Sequence, residues 1–235
     1  MKTALFYLVV LLTNAIQAIT GFAGTLLAMP PSTLLIGVED ARVILNFLAL
    51  FTCLIIVLRN KSMVQWKTLG QVYAAMVPSM ALGVWVFSIV QTELLLYLYG
   101  ALIVVIAVQH LRQAQQMPVF GARAAVLLIA AGLIHGMFVS GGALLVVYLA
   151  AKITDKHEFR ATVAAVWVGL NSIMLAQQLW AGQIDLPLAG TTLLACVPAL
   201  IGLLLGNRLH DRISQPVFMR LTYVLLLISG AMCFF

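Results

Sequence analysis

The chain has 235 residues, of which 63% are hydrophobic and 9% charged. No soluble domain hides that much apolar surface, so composition excludes a water-soluble globular protein and predicts an all-α, polytopic membrane protein. The net charge of +6 comes from 13 Lys and Arg. They punctuate the apolar runs instead of forming one patch, which argues against nucleic-acid binding and for residues that orient membrane segments.

Apolar stretches run at 4–18, 22–36, 43–58, 68–88, 94–111, 123–137, 140–151, 161–180, 186–206 and 217–235. The first follows Met1-Lys2-Thr3 and imitates a secretory signal, with Ala15 and Ala18 near a weak cleavage pattern. The residues after it belong to an internal repeat, so it is read as a retained membrane segment. A perpendicular helix needs about 20 residues to cross ~30 Å of hydrocarbon. Stretches 68–88, 161–180, 186–206 and 217–235 meet that length. The pairs 4–18/22–36 and 123–137/140–151 are too short singly and too long merged. Each is expected to be two short helices joined at a Gly-rich break, either dipping in and returning or crossing with water-lined turns.

The breaks match. Sliding the sequence by 118 positions lays Gln17 on His135, Gly24 on Gly142, Leu26-Leu27 on Leu144-Leu145 and Arg42 on Arg160. Farther on, Val77-Pro78 and Gly83 are answered by Val197-Pro198, Gly202 and Gly206. The chain therefore reads as an N-terminal repeat (1–112), a cytoplasmic linker (113–122) and a C-terminal repeat (123–235), five segments in each repeat. An odd number inverts the second repeat relative to the first. Basic residues follow that inversion: Arg59, Lys61, Lys67, Arg112, Arg123, Lys152, Lys156, Arg160, Arg208, Arg212 and Arg220 fall on one side, leaving Lys2 and Arg42 on the other. The basic side is cytoplasmic by the positive-inside rule, and both termini lie outside.

Irregular backbone survives inside a bilayer only where it is buried in protein or lines a cavity, and matched interruptions point to a transporter's binding site. The expected site is Gln17, Thr20, Gly21, Phe22 and Gly24 in the first break, with His135, Ser140, Gly141 and Gly142 in the second. Two helix N-termini opening there aim partial positive charge and free N–H groups at one point, which suits an anion. The alternative for the glycines is close helix packing. Asn14, Thr20 and Ser140 could equally serve helix–helix hydrogen bonds. His135 could also accept a proton. Asn171 is a further candidate on 161–180, six residues from Gln177 and so not on its face. Arg42 and Arg160 follow Asp40 and Glu158 by two and are expected at a gate or vestibule, exchanging partners with those carboxylates, or else as interfacial anchors. Trp66, Trp85, Trp167 and Trp180 include interfacial anchors.

All seven acidic residues lie at loops or segment ends. With no carboxylate at mid-membrane, a cation substrate is disfavoured. Cys53, Cys196 and Cys233 sit in apolar runs with no metal-ligand spacing, and no cofactor is expected. The chain carries no Walker motif, no His-Glu-x-x-His and no nucleophile elbow, so it is read as not an enzyme.

Gly21-Phe22-Ala23-Gly24 running to Pro30, the echo at Ser140-Gly141-Gly142, the Arg42/Arg160 positions and the Pro-Gly pieces at 78 and 198 together resemble the TauE/SafE family of probable sulfite or organosulfonate exporters. Ala23 and Thr25 stand where that family usually has glycine. The resemblance implies a bacterial inner-membrane secondary transporter of a small sulfur-containing anion or small organic carboxylate, working outward. Its partners would be that anion and the lipid bilayer, with no nucleic acid; whether it forms a homo-oligomer is open. Uptake by a carrier or channel, or a non-transporting membrane assembly subunit, are the alternatives.

Overall fold

The computed structural model describes residues 2–90, 92–112 and 121–210, with isolated positions beyond. The segment 217–235 and most of the linker 113–122 therefore lie outside the described residues. Among those described, the chain is helical throughout: α1 (Lys2–Thr20), α2 (Ala23–Ile36), α3 (Val38–Arg59), α4 (Trp66–Ile89), α5 (Thr92–Arg112), α6 (Gly121–Phe138), α7 (Gly142–Ala150), α8 (Lys156–Trp180) and α9 (Leu186–His210). The reason is solvent: in hydrocarbon every N–H and C=O must pair within its own segment. Six helices (α1, α3, α4, α6, α8 and α9) are long and apolar enough to cross a membrane.

The paired segments differ from expectation in one respect. The first member of each pair is not short: α1 has 19 residues and α6 has 18. Helix α1 runs on to Thr20 and α6 to Phe138, through the polar Gln17 and His135, whose side chains are buried. Only α2 and α7, with 14 and 9 residues, fall short of a span. At about 1.5 Å per residue they reach roughly 21 and 14 Å.

Starts are set locally. Asp155 caps α8, its Oδ1 accepting from the N–H groups of His157 and Glu158, each at 2.9 Å. The Glu158 N–H is the main reason its carboxyl is held below the usual range. Asp185 accepts from the Leu188 N–H at 2.8 Å and caps α9.

α1 lies along α9 and α6 lies along α4, so segments before the 113–122 linker pack on segments after it in both places. Small residues permit both approaches. A Cβ on Gly202 would sit 2.3 Å from the Leu11 carbonyl oxygen, and one on Gly83 would sit 2.1 Å from that of Leu133. Between these pairs α3 crosses α8, with Asn46, Thr52, Thr162 and Asn171 buried in the interior.

Candidate functional site

The breaks fall where predicted and share one backbone design. Gly21 has φ 82° and Val139, which is 118 positions later, has φ 55°. The Gly21 N–H donates to the Gln17 carbonyl at 2.7 Å, and the Val139 N–H to the His135 carbonyl at 2.8 Å. Glycine adopts that region freely; a β-branched residue is strained there, by about 1–3 kcal/mol. Val139 is also 1% exposed, and burial of a valine side chain contributes roughly 1.5–3 kcal/mol. The two effects nearly cancel. Val139→Gly is therefore expected to shift stability by less than about 1 kcal/mol, whereas Val163→Gly, fully buried inside α8, loses burial and helix propensity together. Thermal unfolding of the two variants in detergent measures the difference; equal losses would show that Val139 carries no strain.

In the first break the polar residues cap α2. Thr20 Oγ1 accepts from the N–H groups of Phe22 and Ala23, both at 3.2 Å, and donates to the Ile16 carbonyl at 2.8 Å. Gln17 Oε1 accepts from the Gly24 N–H at 2.8 Å, while its Nε2 donates to Cys53 Sγ at 3.2 Å. A Cβ on Gly24 would sit 2.3 Å from Gln17 Oε1, so this cap requires glycine. The first three N–H groups facing the break are thus already satisfied by the chain.

The second break is built alike but ends differently. α7 begins at Gly142 after Gly141, and among the described residues no side chain accepts from the N–H groups at its start. His135 replaces Gln17. It is 1% exposed, and among the described residues the Asn171 side chain is the polar group beside its ring, without a well-formed hydrogen bond to either nitrogen. Asn171, at the position equivalent to Cys53, is its polar neighbour and leaves Oδ1 unsatisfied. Ser140 bonds to the Tyr99 hydroxyl from α5. The Tyr99 ring stacks on Phe138 at 4.5 Å.

The breaks meet each other. A Cβ on Gly142 would lie 3.0 Å from the Phe22 carbonyl oxygen. Trp167 of α8 wedges between them: its Nε1 donates to the Gly21 carbonyl at 3.1 Å, and its ring stacks on His135 at 5.0 Å. Each arginine also reaches the other break: Arg42 at Gly136 and Arg160 at Gly21. Arg42 is 4% exposed, donates from Nη2 to the Gly136 carbonyl at 2.8 Å and lies 3.6 Å over the Phe87 ring. Arg160 packs against Gly21 and donates to Asn207 Oδ1 on α9.

Several expectations change. Arg42 pairs with Glu39 at 3.7 Å and not with Asp40, because residues three apart share a helix face and residues two apart do not. Glu158 accepts from Gln65 Nε2 at 2.7 Å instead of meeting Arg160. Arg42 reaches the interior, against Gly136 and Phe87. Asn14 donates within its own helix, whereas Thr20 joins α1 to α2 by accepting from the Ala23 N–H. Trp167 is no interfacial anchor, unlike Trp66 and Trp180, which are 64% and 94% exposed. Sequence reasoning missed Trp167, Asn46 and Gln178. Gln178 was discoverable: it lies seven residues after Asn171, two helical turns along the same face, whereas the neighbouring Gln177 does not.

Each break adjoins a cavity of about 10 Å³, room for roughly one water. A larger cavity of about 370 Å³ opens among the start of α1, the α2–α3 turn and the α8–α9 loop, lined by Thr3, Asp40, Ile44, Gln183 and Asp185 among others.

A family model for the sulfite exporter TauE/SafE matches residues 6–233. The probable inner membrane transporter protein TsaS of Comamonas testosteroni is 31% identical over 176 residues, which cover 73% of this chain and 73% of that protein. No solved structure matches. Paired broken helices buried in an otherwise span-length bundle are what such a carrier requires, and with the match over nearly the whole chain they establish that it belongs to the sulfite exporter TauE/SafE family of membrane transporters.

Proposed function

We propose that the chain is an inner-membrane secondary transporter that exports sulfite or a small sulfonate, by alternating access between inverted halves 1–112 and 123–235. Family membership supports the sulfur anion and its outward direction. The name of the Comamonas relative supports the inner membrane. The large cavity gathers the start of α1, the α2–α3 turn and the α8–α9 loop, the same places that the charge pattern assigns to the outside.

The observation that carries the site is the contrast between the two helix starts. The Ala23 and Gly24 N–H groups at the start of α2 are taken by Thr20 and Gln17, whereas among the described residues no side chain accepts from the N–H groups of Gly142 or Ala143 at the start of α7. The anion accordingly docks at the α7 N-terminus, against the Gly141 and Gly142 N–H groups, Ser140 and His135, with Asn171 alongside. Gln17, Thr20, Gly21, Phe22 and Gly24 form the opposing wall, and Arg42 and Arg160 hold the two breaks together as the cavity opens. Water-sized voids at both breaks mean that binding requires such opening.

Efflux of radiolabelled sulfite from proteoliposomes tests the reading, together with a thermal-shift series of sulfite, sulfonates, sulfate and acetate. Sulfite or a sulfonate should stabilise by mass action and move faster than from empty vesicles. Flux no faster than in protein-free vesicles removes sulfite as substrate. Flux that His135→Gln leaves unchanged between about pH 5 and 8 removes any titrating role for that ring.

A further inference from the structure

The face of α8 that carries Trp167 and Asn171 continues to Gln178, at helical spacings of four and seven residues. Asn46 of α3 meets it there, donating from Nδ2 to Gln178 Oε1 at 2.9 Å and to the Asn171 carbonyl at 3.3 Å. Asn46 is 0% and Gln178 1% exposed, yet Asn46 Oδ1 and Gln178 Nε2 have no partner. Two amides held in the interior with an acceptor and a donor left over are costly unless something polar passes between them. The large cavity is lined close by on both elements: by Ile44 and Asp40, two and six residues before Asn46 on α3, and by Gly182 and Gln183, four and five residues after Gln178. The unsatisfied groups thus run in order from that cavity through Asn46 and Gln178 to Asn171 and His135 at the second break. At the opposite end of the α3–α8 crossing, Gln65 is bonded to Glu158 and Thr162.

We propose that Asn46 and Gln178 form the gate between the large cavity and the central site. Their bond closes the path in the present conformation, and when α3 and α8 part their amides hydrogen-bond an oxyanion in transit. The proposal rests on the transport reading but names a route and two residues that reading does not use. An amide pair suits this position: it exchanges bonds with an anion without leaving a buried charge when the anion departs.

Asn46→Cys and Gln178→Cys, each in the reconstituted full chain, are treated with a membrane-impermeant methanethiosulfonate applied from each side in turn. Labelling is followed by intact mass against the wild-type chain, which accounts for the native cysteines. Both thiols should label about tenfold faster than the native ones, from one side only, because reactivity follows access. Saturating sulfite should slow labelling, and labelled protein should lose at least about nine-tenths of its flux. Labelling no faster than wild type, or labelled protein that transports normally, overturns the gate. Failure of the substrate reading looks different: the two thiols label from one side, but sulfite neither protects them nor crosses the membrane.

Discussion

Arg42→Lys is expected to lower sulfite flux roughly tenfold, about 1.4 kcal/mol of lost binding, with the protein still folded and inserted. Lysine keeps the charge, so electrostatics alone predicts little change. What it loses is the planar fork, which lets Arg42 donate to the Gly136 carbonyl while lying flat on the Phe87 ring. An ammonium can satisfy one of those contacts at a time. Gly136 follows His135 directly, so a slack Arg42 lets the end of α6 shift and misplaces the groups around the α7 start. Phe87 also packs edge-on against Phe138, coupling the same arginine to the residue before Val139. If Arg42 only braces α6, the variant melts earlier but transports normally per folded molecule. Flux normalised to folded protein, measured beside sulfite-dependent stabilisation, separates these outcomes.

Gly142→Val should abolish transport and leave the bundle assembled, while Gly202→Val should prevent assembly. The contrast lies in what each new Cβ meets. At Gly142 the neighbours are the Phe22 carbonyl at 3.0 Å and the edges of Phe22 and Trp167 at 3.4 Å, so a few tenths of an ångström of movement accommodates it. That movement pushes the two breaks apart and fills the approach to the α7 N-terminus. At Gly202 a Cβ would meet the Leu11 carbonyl at 2.3 Å and the Ala15 nitrogen at 3.0 Å, both backbone of α1. Rigid helix against rigid helix cannot yield, and the cost of overpacking reaches several kcal/mol over a long contact. Size-exclusion profiles and flux should therefore separate: Gly142→Val monodisperse and inactive, Gly202→Val poorly folded. Equal loss of folded protein in both would make Gly142 a packing glycine and remove it from the site.

The sequence by itself determined the membrane class, the helices and the two breaks. Each follows from local chemistry: apolar length forces helices, and matched polar-glycine interruptions mark where the backbone must turn. The placement of Gln17 and His135 was also legible: each lies four residues before the residue at which its break turns, Gly21 and Val139. The strained turn at Val139 was not, since valine carries no turn signal and only its register with Gly21 betrays it. Nor were the partners. A buried amide or guanidinium can bond any group that folding brings within 3 Å, and linear spacing does not say which. Arg42 reaching Gly136, Trp167 wedged between the breaks, and Asn46 facing Gln178 are all contacts between residues more than 90 positions apart. Tertiary structure alone decided that α2 is capped by Thr20 and Gln17, while among the described residues no side chain takes the N–H groups at the start of α7. Whether a helix N-terminus is free depends on which side chains happen to reach it in three dimensions, and that difference is what makes the second break the candidate anion site.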